Sequence, residues 1–176
     1  VALGKDITLE ELQAHGANAV FLAIGAWKGL RMRIPGEEVR GVEDVISFLR
    51  EVHLGKLKAI QGRVVVIGGG HSALDAARVA LRLGASEAHI IYRRSRTEML
   101  AEPEEIHEAE KEGVKIHILV APLKIISQGN TVTGIECIRT RLSEVDSTGR
   151  RKPIPVEGSE FFIEAEHIIP AVGQEP

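Results

Sequence analysis

The sequence predicts an α/β domain, and three features carry that expectation. Short apolar runs alternate with segments of helical period. One run, Val64-Val65-Val66-Ile67, enters a glycine turn, Gly68-Gly69-Gly70, and an alanine-rich helical segment leaves it. From Thr131 onward the chain reads as β-rich.

Composition narrows the class. At 176 residues the chain fits one domain of ordinary size with a real core. The net charge of −3 mixes both signs, which argues against bulk nucleic-acid or membrane-surface binding. No apolar run reaches the roughly 18 residues of a membrane span. The start, Val1-Ala2-Leu3-Gly4-Lys5-Asp6, reads as neither a signal nor a transit peptide. Cys137 is the single cysteine, so no internal disulfide framework, cysteine-rich zinc site or Cys-x-x-Cys pair is available. A reducing cytoplasm is the expected compartment. The seven histidines lack metal-ligand spacing, and no metal site is expected.

The elements follow in order. Thr8-Leu9-Glu10-Glu11 has capping-box spacing and predicts a short helix from Leu9 towards His15, stopped by Gly16. Ala19 to Ile24 reads as a buried-type strand, ended by Gly25-Ala26. Arg31 to Gly41 is loop-like around the turn signal Pro35-Gly36. Val42 to Val52 reads as a helix with Val42, Val45, Ile46 and Leu49 on one face, broken by Gly55. The strand Val64 to Ile67 precedes a helix running from the glycines to about Leu83, with Gly84 as its stop. In that helix Ala73, Ala76, Ala77 and Ala80 make a narrow face for close packing on a sheet. Ala88 to Tyr92 is the next strand, and Glu102 to Glu112 a charged helix ending at Gly113. Val114 to Val120 reads as one further strand. A β-meander is expected from Thr131 to the end, with strands Val132–Leu142 and Phe161–Ala165 around a turn at Ser147-Thr148-Gly149-Arg150. The last element, His167 to Gly173, is a short apolar strand ending in a glycine turn.

The glycine turn matches the G-x-G-x-x-A form of a dinucleotide fingerprint. Gly68 allows a tight turn, Gly70 lets the backbone approach a pyrophosphate, and Ala73 lets the helix lie close to the sheet. The pyrophosphate is expected over Gly68, Gly69, Gly70, His71, Ser72 and Ala73, where free N–H groups and the helix dipole favour negative charge. The next strand ends without the acidic residue that binds a ribose 2′-hydroxyl in NAD sites about 20 residues on. It runs instead into Arg93, Arg94 and Arg96. Guanidinium forks suit a 2′-phosphate, so NADP is expected over NAD; a solvated basic turn is the plainer alternative. The sequence leaves open whether Arg96 grips the phosphate or points into solvent. The fold expected from all this is a Rossmann-like, three-layer dinucleotide-binding domain with an appended β-meander.

Other residues have simpler expectations. The His71 imidazole contacts the ligand or faces solvent. Asp75 bonds local structure. Glu102, Glu104, Glu105, Glu108 and Glu110 form a solvated acidic helix face, and Cys137 is a small buried apolar residue.

Val64 to Arg96, continued by Glu98-Met99 and Pro103-Glu104-Glu105, resembles the NADPH-binding domain of the glutamate synthase small (β) subunit family. Those proteins are FAD-dependent NAD(P)H oxidoreductases of the pyridine nucleotide-disulfide oxidoreductase-like superfamily. Ala23-Ile24-Gly25-Ala26 resembles the Ala-Thr-Gly-Ala turn where such chains pass from the FAD domain into the NADPH domain, with Ile24 in place of threonine. Ala171-Val172-Gly173-Gln174 resembles the Ala-Ile-Gly-Gln segment of the return, which adds Ala171 and Gly173 to the expected cofactor-binding residues. The resemblance implies a crossover segment at 1–26, an NADPH-binding domain at 27–170 and the start of the return crossover at 171–176. Trp27 is placed at the interface with the FAD domain.

The family's FAD fingerprint and its C-terminal flavin segment are not in this sequence. The resemblance therefore implies a central piece of a longer chain, able to bind NADPH but not FAD unaided. It also implies hydride transfer from nicotinamide C4 to flavin N5, with no side-chain acid or base and no catalytic residue in this segment. This chain has no Cys-x-x-Cys pair for onward transfer, and the resemblance implies iron–sulfur clusters in another domain or a large synthase subunit. Two rivals are a stand-alone NADP-binding regulatory or sensor domain and a methyltransferase with a glycine loop for S-adenosylmethionine. The crossover motifs argue against the first, and Arg93 and Arg94 against the second.

Overall fold

The structure is a computed structural model that describes residues 2–145 and 151–175. The turn expected at 147–150 lies outside the described residues. Helix α1 (Leu9–Ala14) starts at a capping box in which Thr8 and Glu11 satisfy each other's backbone N–H groups. Helix α2 (Val45–His53) starts three residues later than its apolar pattern suggested. The Asp44 carboxylate accepts from the N–H groups of Ile46 and Ser47 at 3.0 and 3.2 Å and fixes the start there. Val42 forms a bridge to Ile168 instead.

A parallel sheet forms the middle layer, in the order β4 (Lys115–Ile118), β3 (Glu87–Tyr92), β2 (Arg63–Ile67), β8 (His167–Pro170). Side chains alternate across it. Val64, Val66, Ala88 and Ile90 face α2, α3 (His71–Arg82) and α4 (Pro103–Lys111). Ala73, Ala76, Ala77 and Ala80 of α3 are fully buried in that layer, the close packing expected of the alanine face. Val65, Ile67 and Ile91 face the other way, onto Ile125, Ile135 and Cys137. Those residues belong to an antiparallel sheet of β5 (Val120–Gln128), β6 (Thr131–Val145) and β7 (Arg151–Glu164). The domain is thus three-layered and Rossmann-like, with the antiparallel sheet as its third layer.

Three sequence expectations need correction. Ala19 to Ile24 is not a buried strand: Phe21 is 91% exposed, and Leu22 and Ile24 are exposed as well. Among the described residues no neighbouring strand pairs with it, and a strand without a ladder does not form. The run Val114 to Val120 is not one strand. Leu119, at φ +56, turns the chain between the two sheets, so β4 pairs with β3 while β5 pairs with β6. The Leu119 N–H donates to the Arg94 carbonyl at 3.0 Å, and its own carbonyl accepts from Thr140 at 2.8 Å. Finally, His167 to Pro170 is no part of the meander; it runs parallel to β2, from Val64 opposite His167 to Ile67 opposite Pro170. No helix among the described residues is long and apolar enough to cross a membrane.

Candidate nucleotide-binding site

Strands β2, β3 and β8 end at one edge of the parallel sheet, and a cleft of about 880 Å³ opens there. In open α/β sheets such a carboxyl edge is where ligands sit. The glycine turn forms one wall of the cleft, Tyr92, Arg93 and Arg94 another, and Ala171 to Gln174 a third.

The three glycines stand in different surroundings. A Cβ on Gly68 would overlap the Ala171 carbonyl, because β8 passes directly beside the turn. At Gly69 a Cβ would come within 2.5 Å of the Tyr92 ring. At Gly70 it would meet nothing within 4 Å, so this position faces open cleft. Gly70 caps α3 without a side-chain hydrogen bond, at φ −104. The N–H groups of His71 and Ser72 therefore have no acceptor from the helix or its cap. None is found for Gly69 or Gly70 among the described residues either. These donors, with the positive end of the helix dipole, make an anion cradle. Ala73 lies beneath it, fully buried against the sheet.

The His71 imidazole is turned to α4, its Nδ1 2.7 Å from Glu105 Oε2. That contact, more than the Glu102 N–H, holds the Glu105 carboxyl below the usual carboxylate range. The acidic face of α4 is tied down elsewhere too, by Lys111 on Glu108 and Arg96 on Glu110.

The three arginines diverge. Arg93 is exposed, and no described residue pairs with its guanidinium; Thr140 Oγ1 donates to its backbone carbonyl at 2.8 Å. Arg94 is half-buried, and its Nε donates to the Arg151 carbonyl at 3.1 Å. Both line the cleft, whereas Arg96 does not. It makes two 2.6 Å hydrogen bonds to the Glu110 carboxylate, an arrangement the sequence did not anticipate.

The return segment is held in place by backbone. The Ala171 N–H donates to the Ile67 carbonyl at 2.8 Å, and the Gly173 carbonyl, at φ +125, accepts from Leu30 at 2.9 Å. Strand β1 (Lys28–Gly29) pairs antiparallel with β9 (Gln174–Glu175), so the two segments with crossover motifs run side by side.

Sequence reasoning missed Tyr92 and Glu98. The Tyr92 ring lies against Gly69, and its hydroxyl donates to the Glu98 carbonyl at 2.6 Å. The Ser95-x-x-Glu98 spacing, a capping box in the structure, was the available signal.

The pyridine nucleotide-disulphide oxidoreductase family matches residues 2–176. The chain is 46% identical, over 99% of its length, to NADPH-Fe(3+) oxidoreductase subunit beta of Geobacter sulfurreducens, and covers 26% of that protein. It is 43% identical, over 98% of its length, to NADP(+)-dependent formate dehydrogenase subunit beta of Moorella thermoacetica, covering 25%. With the glutamate synthase [NADPH] small chain of Azospirillum brasilense it shares 35% identity over 99% of its length, covering 38%. The chain thus spans a quarter to two-fifths of these relatives. Its fold is similar to that of Mycobacterium tuberculosis FprA in complex with NADPH, at a TM-score of 0.78 and 20% identity, over 99% of this chain and 54% of that one. The chain belongs to the pyridine nucleotide-disulphide oxidoreductase family.

Proposed function

We propose that this chain is the NADPH-binding module of a flavin-dependent oxidoreductase similar to the glutamate synthase small chain. One observation carries the reading: the open cradle at Gly70 and the guanidinium groups of Arg93 and Arg94 line the same cleft. A pyrophosphate fits the first and a 2′-phosphate the second. The names of the relatives, with NADPH or NADP(+) in each, support the same ligand.

In this reading Gly69, Gly70, His71 and Ser72 hold the pyrophosphate through backbone N–H groups. Arg93 and Arg94 take the 2′-phosphate, and Arg96 joins them only by leaving Glu110. Ala171 and Gly173 form the wall along which the nicotinamide half lies. Bound there, NADPH supplies a hydride to FAD in a neighbouring domain. The chain contributes orientation, proximity and exclusion of water, and no side chain here serves as acid or base.

Residues 1–26 and 171–176 are the two crossovers to that FAD domain in this proposal, flanking the NADPH-binding domain at 27–170. Strand β1, which begins just after the first of these segments, pairs antiparallel with β9 of the second, and this suits a double connection. The exposed side chains of Phe21, Leu22, Ile24 and Trp27 supply an apolar contact surface beside it. In this reading electrons leave through iron–sulfur clusters of another domain or subunit; two of the relatives are named as beta subunits, which fits a partner chain. A cytoplasmic location goes with this reading.

Calorimetric titration with NADPH and NADH at matched ionic strength tests it. A clear preference for NADPH is expected. Equal affinity for NADH overturns the 2′-phosphate assignment, and binding of neither overturns the nucleotide site.

A further inference from the structure

Two residues on the arginine side of the cleft, Arg94 and Glu98, are contacted by a residue of the antiparallel sheet. Arg151, at the start of β7, has its carbonyl 3.1 Å from Arg94 Nε and its own Nε 3.3 Å from Glu98 Oε1. The other Glu98 oxygen accepts from the Ser95 hydroxyl at 2.8 Å and the Ser95 N–H at 3.2 Å. Glu98 is also tied to β3, because its backbone carbonyl accepts from the Tyr92 hydroxyl. Its carboxylate takes three hydrogen bonds from two residues, Ser95 and Arg151, and Glu98 lines the same cleft as Arg93 and Arg94. Burial opposes ionisation there, but the Ser95 and Arg151 contacts outweigh it, so Glu98 titrates below the usual carboxylate range.

A fixed anion in that wall is a liability for binding a phosphate dianion, since like charges at short range repel in a partly desolvated site. The Arg151 guanidinium is the counter-charge, with 40% of its side chain exposed against 20% for Glu98. An Arg–Glu pair so exposed contributes little to stability, which leaves electrostatics of the cleft as its main consequence. We propose that Arg151 is a positioning residue for nucleotide selectivity: by neutralising Glu98 it lets the Arg93–Arg94 wall accept a 2′-phosphate. This rests on the nucleotide reading given above.

The test measures NADPH and NADH affinities for the wild-type protein and for Arg151→Ala, Arg151→Lys and the double variant Glu98→Gln/Arg151→Ala. NADH serves as the control for folding and for the glycine cradle, because it lacks the 2′-phosphate. Arg151→Ala is expected to weaken NADPH about tenfold while NADH stays within about twofold. Arg151→Lys, which keeps the charge, stays close to wild type. The double variant, with no carboxylate left uncovered, recovers most of the loss. An unchanged NADPH:NADH ratio in Arg151→Ala overturns the inference, as does equal loss of both nucleotides or no recovery in the double variant. A wild-type protein without NADPH preference overturns instead the nucleotide reading on which it stands.

Discussion

Gly68 lies so close to the carbonyl of Ala171 that no side chain fits between the fingerprint turn and the return strand. Two steps along, Gly70 faces open space. The two glycines therefore answer differently to the same substitution. Gly68→Ala forces β2 and β8 apart and is expected to cost about 2 kcal/mol or more of stability, read from urea unfolding. Gly70→Ala keeps an allowed backbone at φ −104 and is expected to leave stability within about 1 kcal/mol of wild type. It nonetheless abolishes nucleotide binding, because the added methyl group occupies the ligand's space. Binding retained in Gly70→Ala would contradict the cradle.

Arg93 has no described partner for its guanidinium, so its replacement breaks nothing in the resting protein. Arg93→Glu is expected to weaken NADPH about tenfold or more and NADH far less, by calorimetry. Equal losses would show that Arg93 does not read the 2′-phosphate.

The strand, glycine turn and helix were legible because the apolar run, the glycines and the alanine-rich segment follow one another directly in the chain. The alanine face of α3 was legible too, since periodicity and side-chain size determine it. What escaped the sequence depended on distant partners. Nothing local in His167–Pro170 distinguishes a meander strand from one that pairs parallel to β2. Leu119 gives no turn signal, because its positive φ goes with hydrogen bonds to the Arg94 carbonyl and from the Thr140 N–H. Ala19 to Ile24 has a strand's composition but no ladder partner among the described residues. In the site, Arg96 was a candidate by proximity in sequence, whereas its Glu110 partner arrives from α4. Arg151 carried no signal, since only the sheet packing brings β7 to the arginine turn.

Stability should fall on mild acidification. His117 Nε2 lies 2.9 Å from His89 Nδ1, with the rings stacked, and Lys115 and Arg139 add positive charge nearby. Burial first, then those charges, lowers the His117 pKa below the ordinary histidine value of 6.5. The unfolded chain then binds the proton more readily, so stability is full above that value and is lost as pH falls through it towards the folded pKa. Glu87, on the far nitrogen of His89, stays ionised throughout, held down to about 2 by Lys115 first and His89 second. The urea midpoint of the wild-type protein is expected to drop between about pH 7 and about pH 5. His117→Gln should show a shallower drop; identical slopes would remove His117 as the cause.

Cys137 is fully buried on β6, and burial pushes its thiol up to about 12. Alkylation by iodoacetamide at neutral pH is expected only as fast as the protein opens, because the thiolate is the reactive form. Prompt labelling of the folded protein would contradict the packing between the two sheets.

In the proposed complex one dinucleotide spans the glycine cradle and the arginine wall. Amide NMR of the protein titrated with NADPH tests this most directly. The largest shifts are expected at Gly69, Gly70, His71 and Ser72, together with Arg93 and Arg94, and the Arg93 and Arg94 shifts should shrink when NADH replaces NADPH. Shifts confined to a second cavity, of about 210 Å³ beside Gly41 and Gln61, or absent from the glycine turn, would contradict that arrangement.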